Sequence, residues 1–509
     1  MNPSSSTSYK PVPDDEDSKR DGVEDERTSS NGGGVSLSQA FTHDNLSEEV
    51  EIPEAKSDVR FSFKTLWAYT GPGWLMSMAY LDPGNLEADL QQGAYCGYQI
   101  LWVLFWSTAL GWVLQVMAAT LGVVTGRDLA THCRLSFSRP VSIALWIMTE
   151  IAIIGSDIQE VVGSAIAFKL LFGLPLWAGT LITGLDTFTF LGFHYFGIRK
   201  LEAFFCSLIL VMCICFFINW GVAGTRTEDF LFGWVVPTLN DYAVLQAVAT
   251  LGAVIMPHNI YLHSALVLSR KIDRSNPGKV REAIKYNAIE SAVALLVSFF
   301  INAAIVVTFA RGFFDLCSEI GLGSAGSALE KFLGSSAKYI WGCGLLASGQ
   351  ASTMTGTYAG QFVMQGFLDI RVAAWLRTMI TRCVALGPAI LVALATAHDP
   401  NLSDQIGEWL NILQSVQLPF ALLPVLILTS APSVMGPSFS NKFASKLIGW
   451  GGALVVFGIN VYLIVDFCWR DGSPVPHSSW FRGGVIFFLI LYFIFIDKMN
   501  GLLDLSALL

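Results

Sequence analysis

Apolar segments of membrane-spanning length follow one another along most of this chain, and they constrain its fold more than any other feature. A helix needs about 20 mainly apolar residues to cross a bilayer. Only 14% of the residues are charged, against about 25% in soluble domains. We therefore predict an all-α integral membrane protein with about twelve transmembrane helices. The twelve segments lie near 62–81, 98–123, 141–171, 177–195, 201–221, 243–268, 288–310, 338–366, 376–397, 408–430, 446–467 and 482–497.

The chain divides by composition and segment order into four parts. Residues 1–60 contain 14 Asp and Glu against 6 Lys and Arg and few aromatic residues, which predicts a disordered acidic tail. Residues 61–430 hold segments 1 to 10, which we expect to form the core. Residues 431–498 hold segments 11 and 12, which we expect at the periphery, and 499–509 form a short tail.

Basic residues indicate the orientation in the membrane. Lys and Arg concentrate in the loops after segments 2, 4 and 6, and are missing from the loops after segments 1, 3 and 9. Because cytoplasmic loops carry the excess of Lys and Arg, both the N-terminus and, with twelve spans, the C-terminus are predicted to be cytoplasmic.

Two segments are interrupted by proline. Asp82-Pro83-Gly84-Asn85 breaks segment 1, and Met256-Pro257-His258-Asn259 breaks segment 6. Proline removes a backbone donor, so a helix does not run through it unperturbed. Broken helices at corresponding places of two five-helix halves are typical of an inverted-repeat membrane architecture. We therefore predict a LeuT-like 5+5 inverted repeat with broken helices 1 and 6.

The residues at the breaks offer a mixed set of metal-binding atoms. Break 1 has the Asp82 carboxylate and the Asn85 amide oxygen, and break 6 has the Met256 thioether and the carbonyl of Ala253. Asp82 either caps the following helix or serves a functional site, as ionisable groups at membrane depth do by default. Met256 is either a packing residue or a ligand that favours Mn²⁺, Fe²⁺, Co²⁺ and Cd²⁺ over Mg²⁺ and Ca²⁺.

Titratable residues near the breaks are candidates for proton transfer. Glu150, Asp157 and Glu160 share one face of segment 3, and His258 titrates near neutral pH when unperturbed. The carboxylates are either proton carriers with raised pKa values or members of a static ion network. The partners in such a network would be Arg377 and Arg382 of segment 9.

The two breaks resemble the paired signatures of the Nramp family of proton-coupled divalent metal transporters. Residues 349–361 (GQASTMTGTYAGQ) resemble the family's transport signature, and the likeness covers roughly residues 60–470. The acidic tail and Leu121–Arg127 look most like plant members. Three further stretches match: 156–163, 197–202 and 409–420.

The resemblance implies a metal site and a proton pathway. It implies that Asp82, Asn85, Met256 and the Ala253 carbonyl bind the metal, and that Asn411 joins as helix 10 closes. It places Asp157, Glu160 and Arg382 in the proton pathway, with Asp82 as the first proton acceptor. The implied activity is alternating-access transport of Mn²⁺ or Fe²⁺, with Cd²⁺ and Co²⁺ as further substrates, towards the cytoplasm together with H⁺. No cofactor is expected.

Other functions are disfavoured by particular features. An organic-solute carrier of the same architecture, for example for amino acids, would not need a thioether beside the carboxylate. An Nramp-like metal sensor would need a substantial cytosolic domain, and only a short stretch follows Asp497. We find no nucleophile–base pair for an enzyme and no basic patch for nucleic acid. The sequence leaves the oligomeric state open.

Two short motifs concern the location of the protein. Asp504–Leu509 (DLSALL) fits an acidic dileucine signal that sorting adaptors bind, which favours vacuolar or Golgi-type membranes over the plasma membrane. Asn401-Leu402-Ser403 is a glycosylation sequon in a loop predicted to be non-cytoplasmic.

Overall fold

The structure is a computed structural model that describes residues 50–52, 61–193, 198–314, 320–369, 374–396 and 400–469, together with Trp480, Gly483, Ile486, Phe487 and Tyr492. Its regular elements are almost all helices. In chain order they are β1 (Val50–Glu51), α1 (Phe63–Tyr69), α2 (Pro72–Met78), α3 (Pro83–Cys96), α4 (Leu101–Thr125), α5 (Leu129–Ser136), α6 (Arg139–Phe172), α7 (Leu176–Phe193), α8 (Ile198–Ala223), α9 (Thr227–Val235), α10 (Val244–Val254), α11 (Pro257–Leu266), β2 (Arg270–Lys271), α12 (Pro277–Phe313), α13 (Leu322–Leu333), α14 (Ser335–Leu368), α15 (Ala374–Ala395), α16 (Pro400–Gln417), α17 (Pro419–Ser430), α18 (Pro432–Met435) and α19 (Phe443–Trp469).

Within the described residues, seven helical stretches are long and apolar enough to cross a membrane. They are Leu101–Thr125, Arg139–Phe172, Arg199–Ala223, Asp241–Ser269, Pro277–Phe313, Gln405–Ser430 and Phe443–Val465. The chain thus has the architecture of a multi-pass membrane protein. The count of twelve stays a prediction, because segment 12 and the C-terminal tail lie almost wholly outside the described residues.

Both predicted breaks are present. α2 ends at Met78 before α3 begins at Pro83, and α10 ends at Val254 before α11 begins at Pro257. A carbonyl released by unwinding needs a new donor when water is excluded. Ser298 and Asn302 of α12 donate to the carbonyls of Ser77 and Tyr80 at 3.0 and 2.9 Å. The neighbouring helix therefore stabilises the break in helix 1.

Segment 1 has a second interruption that the sequence analysis did not predict. α1 and α2 separate at Thr70 and Gly71, where Gly71 has φ +147°. The Glu290 carboxylate of α12 accepts the backbone N–H of Gly71 at 2.5 Å. Arg270 donates to the carbonyl of Thr70 at 2.7 Å and forms an ion pair of 2.7 Å with Glu202. We call Glu202, Arg270 and Glu290 the clamp.

The N-terminal segment contributes one ordered piece. β1 pairs with β2 in parallel, with Val50 opposite Arg270 and Glu51 opposite Lys271. Ile52 packs against a small buried cluster. The prediction of a disordered tail through residue 60 is therefore wrong at 50–52, because backbone pairing and apolar packing order them. Residues 1–49 and 53–60 lie outside the described residues.

Segment 10 is also divided. The sequence predicts one helix over 408–430, whereas α16 ends at Gln417 and α17 begins at Pro419. The proline has no N–H for the helical ladder, so it starts a new helix at the position where that loss costs least. Short helices that were not predicted, α5, α9, α13 and α18, connect the longer ones.

Candidate functional site

The two breaks meet in the interior of the protein. The side-chain amide of Asn85 donates to the carbonyl oxygen of Ala253 at 2.9 Å and to Asp82 Oδ1 at 2.8 Å. Met256 lies three residues beyond Ala253, at the residue that precedes α11. All four side chains are at most 1% exposed. The structure thus brings the carboxylate, amide and carbonyl together and encloses them.

Asp82 both caps a helix and keeps an acceptor free. Its Oδ1 accepts the backbone N–H of Asn85 at 2.7 Å, which caps α3. Its Oδ2, like Oδ1 of Asn85, has no hydrogen-bond partner among the described residues. Buried polar atoms without a partner are costly, and oxygen atoms of this kind are ligands for divalent cations. The arrangement can therefore accept a cation.

Met256 differs from its apolar neighbours in its surroundings. Val254 and Ile255 belong to a large buried hydrophobic cluster, whereas Met256 belongs to none of the clusters formed by the described residues. Its Sδ instead lies 3.8 Å from the Ser156 hydroxyl, which donates to Glu160 Oε1 at 3.0 Å. The Met256 sulfur therefore lies beside a polar group, and its role as a metal ligand stays a prediction.

Asn411 of α16 lies directly beside the break in helix 1. Its amide donates to the carbonyl oxygen of Gly84 at 3.2 Å, and its Oδ1 accepts from Gln159 Nε2 at 2.8 Å. Gln159 also donates to the carbonyl of Gly407 at 3.1 Å. Helix α16 is therefore held against the site in this structure.

Two predicted carboxylates of α6 lie close to the site. Asp157 and Glu160 are buried, and Ser156 donates to Glu160 Oε1 at 3.0 Å. Gly356 of α14 faces them, since a Cβ at that position would lie 2.7 Å from Asp157 Oδ1. The absence of a side chain at Gly356 therefore leaves space for the Asp157 carboxylate.

The other predicted proton-pathway residues have different surroundings. Glu150 is only half-buried and accepts a hydrogen bond of 2.9 Å from the Trp146 indole. His258 is buried, and its Nδ1 has no partner in the described part of the chain. The side chains of Arg377 and Arg382 lie outside the described residues. The ion-network alternative therefore stays a prediction.

Several residues around the site form contacts that no sequence pattern predicted. Ser156, Gln159 and Gln414 connect α6 to α11 and α16, with Gln414 donating to the carbonyl of Ala152 at 2.7 Å. Ser156 and Glu160 are four residues apart, which on a helix indicates adjacency. The partners on other helices lie about 100 to 260 residues away, and no local signal points to them.

Comparison with known proteins gives a consistent result. Residues 73–466 match the family described as natural resistance-associated macrophage protein-like, or Nramp. The metal transporter nramp1 homolog of Dictyostelium discoideum is 52% identical over 436 residues, which cover 85% of this chain and 80% of that protein. The metal transporter Nramp3 of Arabidopsis thaliana is 49% identical over 426 residues, which cover 82% and 84%.

Solved structures agree with these sequence relatives. The manganese transporter of Eremococcus coleocola matches with a TM-score of 0.74 and 30% identity, covering 92% of this chain and 98% of that one. Mhp1, a nucleobase-cation-symport-1 family transporter, shares the fold with a TM-score of 0.52 and 16% identity. These likenesses confirm the predicted fold class. The extent of the family match and the high identity to its members establish that this chain belongs to the Nramp family of metal transporters.

Proposed function

We propose that the protein carries divalent transition metal ions, Mn²⁺ and Fe²⁺ foremost and also Co²⁺ and Cd²⁺, towards the cytoplasm together with protons. The observation that carries this proposal is the meeting of the two breaks. There Asp82 and Asn85 each keep an oxygen without a partner among the described residues, Asn85 contacts the Ala253 carbonyl, and Met256 follows three residues later. We propose that these four groups bind the ion and that Asn411 completes the site.

The choice of metal follows from the donor atoms. Carboxylate, amide and carbonyl oxygens alone would suit Mg²⁺ or Ca²⁺. A thioether shifts the preference towards softer transition ions. A single formal negative charge at Asp82 against a 2+ ion gives a moderate affinity, which a carrier needs in order to release its cargo. The manganese transporter that this chain resembles supports the same choice.

Alternating access requires that helices move around the ion. All proposed ligands are buried, so neither side of the membrane reaches them in this arrangement. The breaks at Asp82–Asn85 and Ile255–Met256, and the interruption at Gly71, are positions where a hinge can absorb a change in backbone angles. Outward and inward states would then differ mainly in α2, α3, α10, α11 and α16.

Proton coupling would use the carboxylates beside the metal site. Ser156 contacts both the Met256 sulfur and the Glu160 carboxylate, so it connects the metal site to α6. We propose that Asp82 gives up its proton when metal binds, and that Asp157, Glu160, Arg382, Glu150 and His258 supply the route away from it.

Metal uptake into proteoliposomes tests the proposal. Purified protein is reconstituted with an internal pH dye, and Mn²⁺ uptake is measured with and without an inward proton gradient. We expect uptake that the gradient stimulates, interior acidification, and loss of both in Asp82→Asn. Asp229→Asn, which changes an exposed carboxylate on α9, is the control and should transport normally. Normal uptake by well-folded Asp82→Asn would remove Asp82 from the site.

The membrane in which the protein resides is the subject of a separate proposal, which rests on the C-terminal dileucine motif. Residues 504–509 lie outside the described residues, and we propose that sorting adaptors bind them and direct the protein to vacuolar or Golgi-type membranes. Replacing Leu508 and Leu509 by alanine should then move a fluorescent fusion to the plasma membrane. An unchanged distribution would reject the signal.

A further inference from the structure

A second carboxylate lies on the same helix face as the proposed metal ligands. Asp89 follows Asp82 by seven residues on α3, which is close to two full turns and about 10 Å along the axis. Asp82, Asn85, Asp89 and Gln92 therefore form one polar stripe. Leu86 and Leu90 lie on another face and belong to a hydrophobic cluster.

The Asp89 side chain is buried without a partner. It is 1% exposed, and neither carboxylate oxygen has a hydrogen-bond partner among the described residues. A carboxylate in such a place is stable only when a proton or a cation neutralises it. Asp82, about two helical turns away, adds a second carboxylate to the same stripe. Two such charges attract a divalent cation more strongly than either would alone.

Polar groups continue from Asp89 towards the far end of α3. The Thr250 hydroxyl of α10 donates to Gln92 Oε1 at 3.3 Å, and Gln92 Nε2 has no partner in the described part of the chain. One helical turn before Thr250, Gln246 donates to the carbonyl of Ala88 at 2.8 Å. The polar sides of α3 and α10 thus face each other between the breaks and the loop that follows α3.

We propose that Asp89, with Gln92 and Thr250, forms an outer station that binds the divalent cation before it reaches Asp82. This inference rests on the proposed function and on the orientation predicted from the basic loops, which places the loop after α3 on the non-cytoplasmic side. The ion would move about 10 Å along α3 between the two carboxylates. A chain of weak sites lets an ion bind without being trapped.

The chemistry of the outer station differs from that of the inner site. Its groups are a carboxylate, a carboxamide and a hydroxyl, all of which offer oxygen, so it should accept Ca²⁺ as readily as Mn²⁺. Selection for transition metals would then occur only at Met256. External Ca²⁺ should therefore compete with Mn²⁺ at the outer station.

The first test compares Asp89→Asn with wild type in Mn²⁺ uptake. We expect KM for Mn²⁺ to rise at least fivefold with the maximal rate within twofold of wild type, and inhibition by external Ca²⁺ to weaken. Asp229→Asn is the control for surface charge, because α9 follows segment 5 and the predicted orientation places that loop on the same, non-cytoplasmic side. Asparagine is the neutral isostere of a protonated aspartate, so an unchanged KM would mean that Asp89 is only a buried protonated group, and would overturn the proposal.

The second test measures Mn²⁺ binding directly by electron paramagnetic resonance on purified protein. Asp82→Asn should retain one weakly bound Mn²⁺, and the double variant Asp82→Asn/Asp89→Asn should retain none. If Asp82→Asn binds no Mn²⁺, the outer station is rejected even when wild type transports metal. If wild type transports no metal, the proposed function fails, and the binding comparison still decides whether Asp89 holds a cation.

Discussion

Asp82 uses its two carboxylate oxygens differently. Oδ1 accepts two N–H groups of Asn85, and Oδ2 has no partner among the described residues. Capping and ligand binding are therefore compatible roles, although the sequence analysis treated them as alternatives. A cap also orients the carboxylate, so less rotational freedom is lost when a cation binds. An aspartate before a Pro-Gly break thus suits a site that must be preorganised.

The Met256 thioether should determine how well the site discriminates between Mn²⁺ and Ca²⁺. Met256→Ala should let Ca²⁺ compete about tenfold better against Mn²⁺ uptake, which corresponds to about 1.4 kcal/mol. The reason is that the remaining ligands are all oxygen atoms, which no longer disfavour Ca²⁺. The measurement is Mn²⁺ uptake at increasing external Ca²⁺.

Met435→Ala is a suitable control for the loss of a buried methionine. Met435 belongs to the hydrophobic core and lies in α18, a helix that carries none of the proposed ligands. It should lower stability and leave ion discrimination unchanged. Equal Ca²⁺ exclusion in Met256→Ala and wild type would contradict the ligand role of the sulfur.

The residues at the breaks could be identified as candidate ligands from the sequence, whereas those that surround them could not. Asp82, Asn85 and Met256 were identifiable because proline and glycine mark the places where a buried helix must open. No neighbouring proline or glycine distinguishes Gln159 or Asp89 from other polar residues in a helix. Four polar residues, Glu87, Asp89, Gln91 and Gln92, lie close together in α3, and only packing against α10, α12 and α16 decides which of them lacks a partner.

At the scale of elements, the interruption between α1 and α2 depends on the clamp. Three groups from α8, α12 and β2 meet at Thr70 and Gly71. Arg270 is fully buried, so its charge must be paired, and Glu202 does so. The clamp residues lie 130 to 220 positions from Gly71 in sequence. The apolar pattern of 62–81 therefore predicted one continuous helix.

Gly71→Ala should destabilise the protein more than an alanine at another positive-φ glycine. A Cβ at 71 would overlap the Glu202 and Arg270 side chains, and the backbone there has φ +147°. Gly436, with φ +71° and open space around it, is the matched control. We expect about 1–3 kcal/mol from backbone strain at Gly436 and about 1–3 kcal/mol more at Gly71 from overpacking.

Thermal unfolding in detergent, followed by tryptophan fluorescence, measures this difference. Gly71→Ala should also slow Mn²⁺ uptake, since the clamp holds the end of helix 1 that moves in the proposed alternating-access mechanism. Equal unfolding temperatures for the two variants would show that the Glu202 and Arg270 side chains move aside at little cost in stability. The clamp would then not constrain α2.

At the scale of the whole molecule, the site is assembled from helices that are far apart in the chain. α3, α6, α10 and α16 each contribute a group, and Met256 contributes another from the residue that precedes α11. Apolar runs of membrane-spanning length predicted most of these helices, and the two breaks predicted that helices 1 and 6 converge. The contacts of Gln159 with Asn411 and of Ser156 with Met256 depend on how the helices are rotated against each other, which local sequence patterns do not specify.

Ser156 lies between the proposed metal site and the α6 carboxylates, so a substitution there tests whether the two are coupled. Its hydroxyl contacts Met256 Sδ at 3.8 Å and Glu160 Oε1 at 3.0 Å. Ser156→Ala should keep Mn²⁺ uptake within about threefold of wild type, because losing one hydrogen bond costs roughly 1 kcal/mol. It should lower the number of protons that enter with each Mn²⁺, because the link to Glu160 is lost.

Ser164→Ala is the control and should leave that ratio unchanged. Ser164 is equally buried on the same helix, and its hydroxyl has no partner among the described residues. Simultaneous recording of ⁵⁴Mn²⁺ uptake and interior pH gives the ratio, and an unchanged value in Ser156→Ala would mean that protons leave the metal site by a route that does not pass along α6.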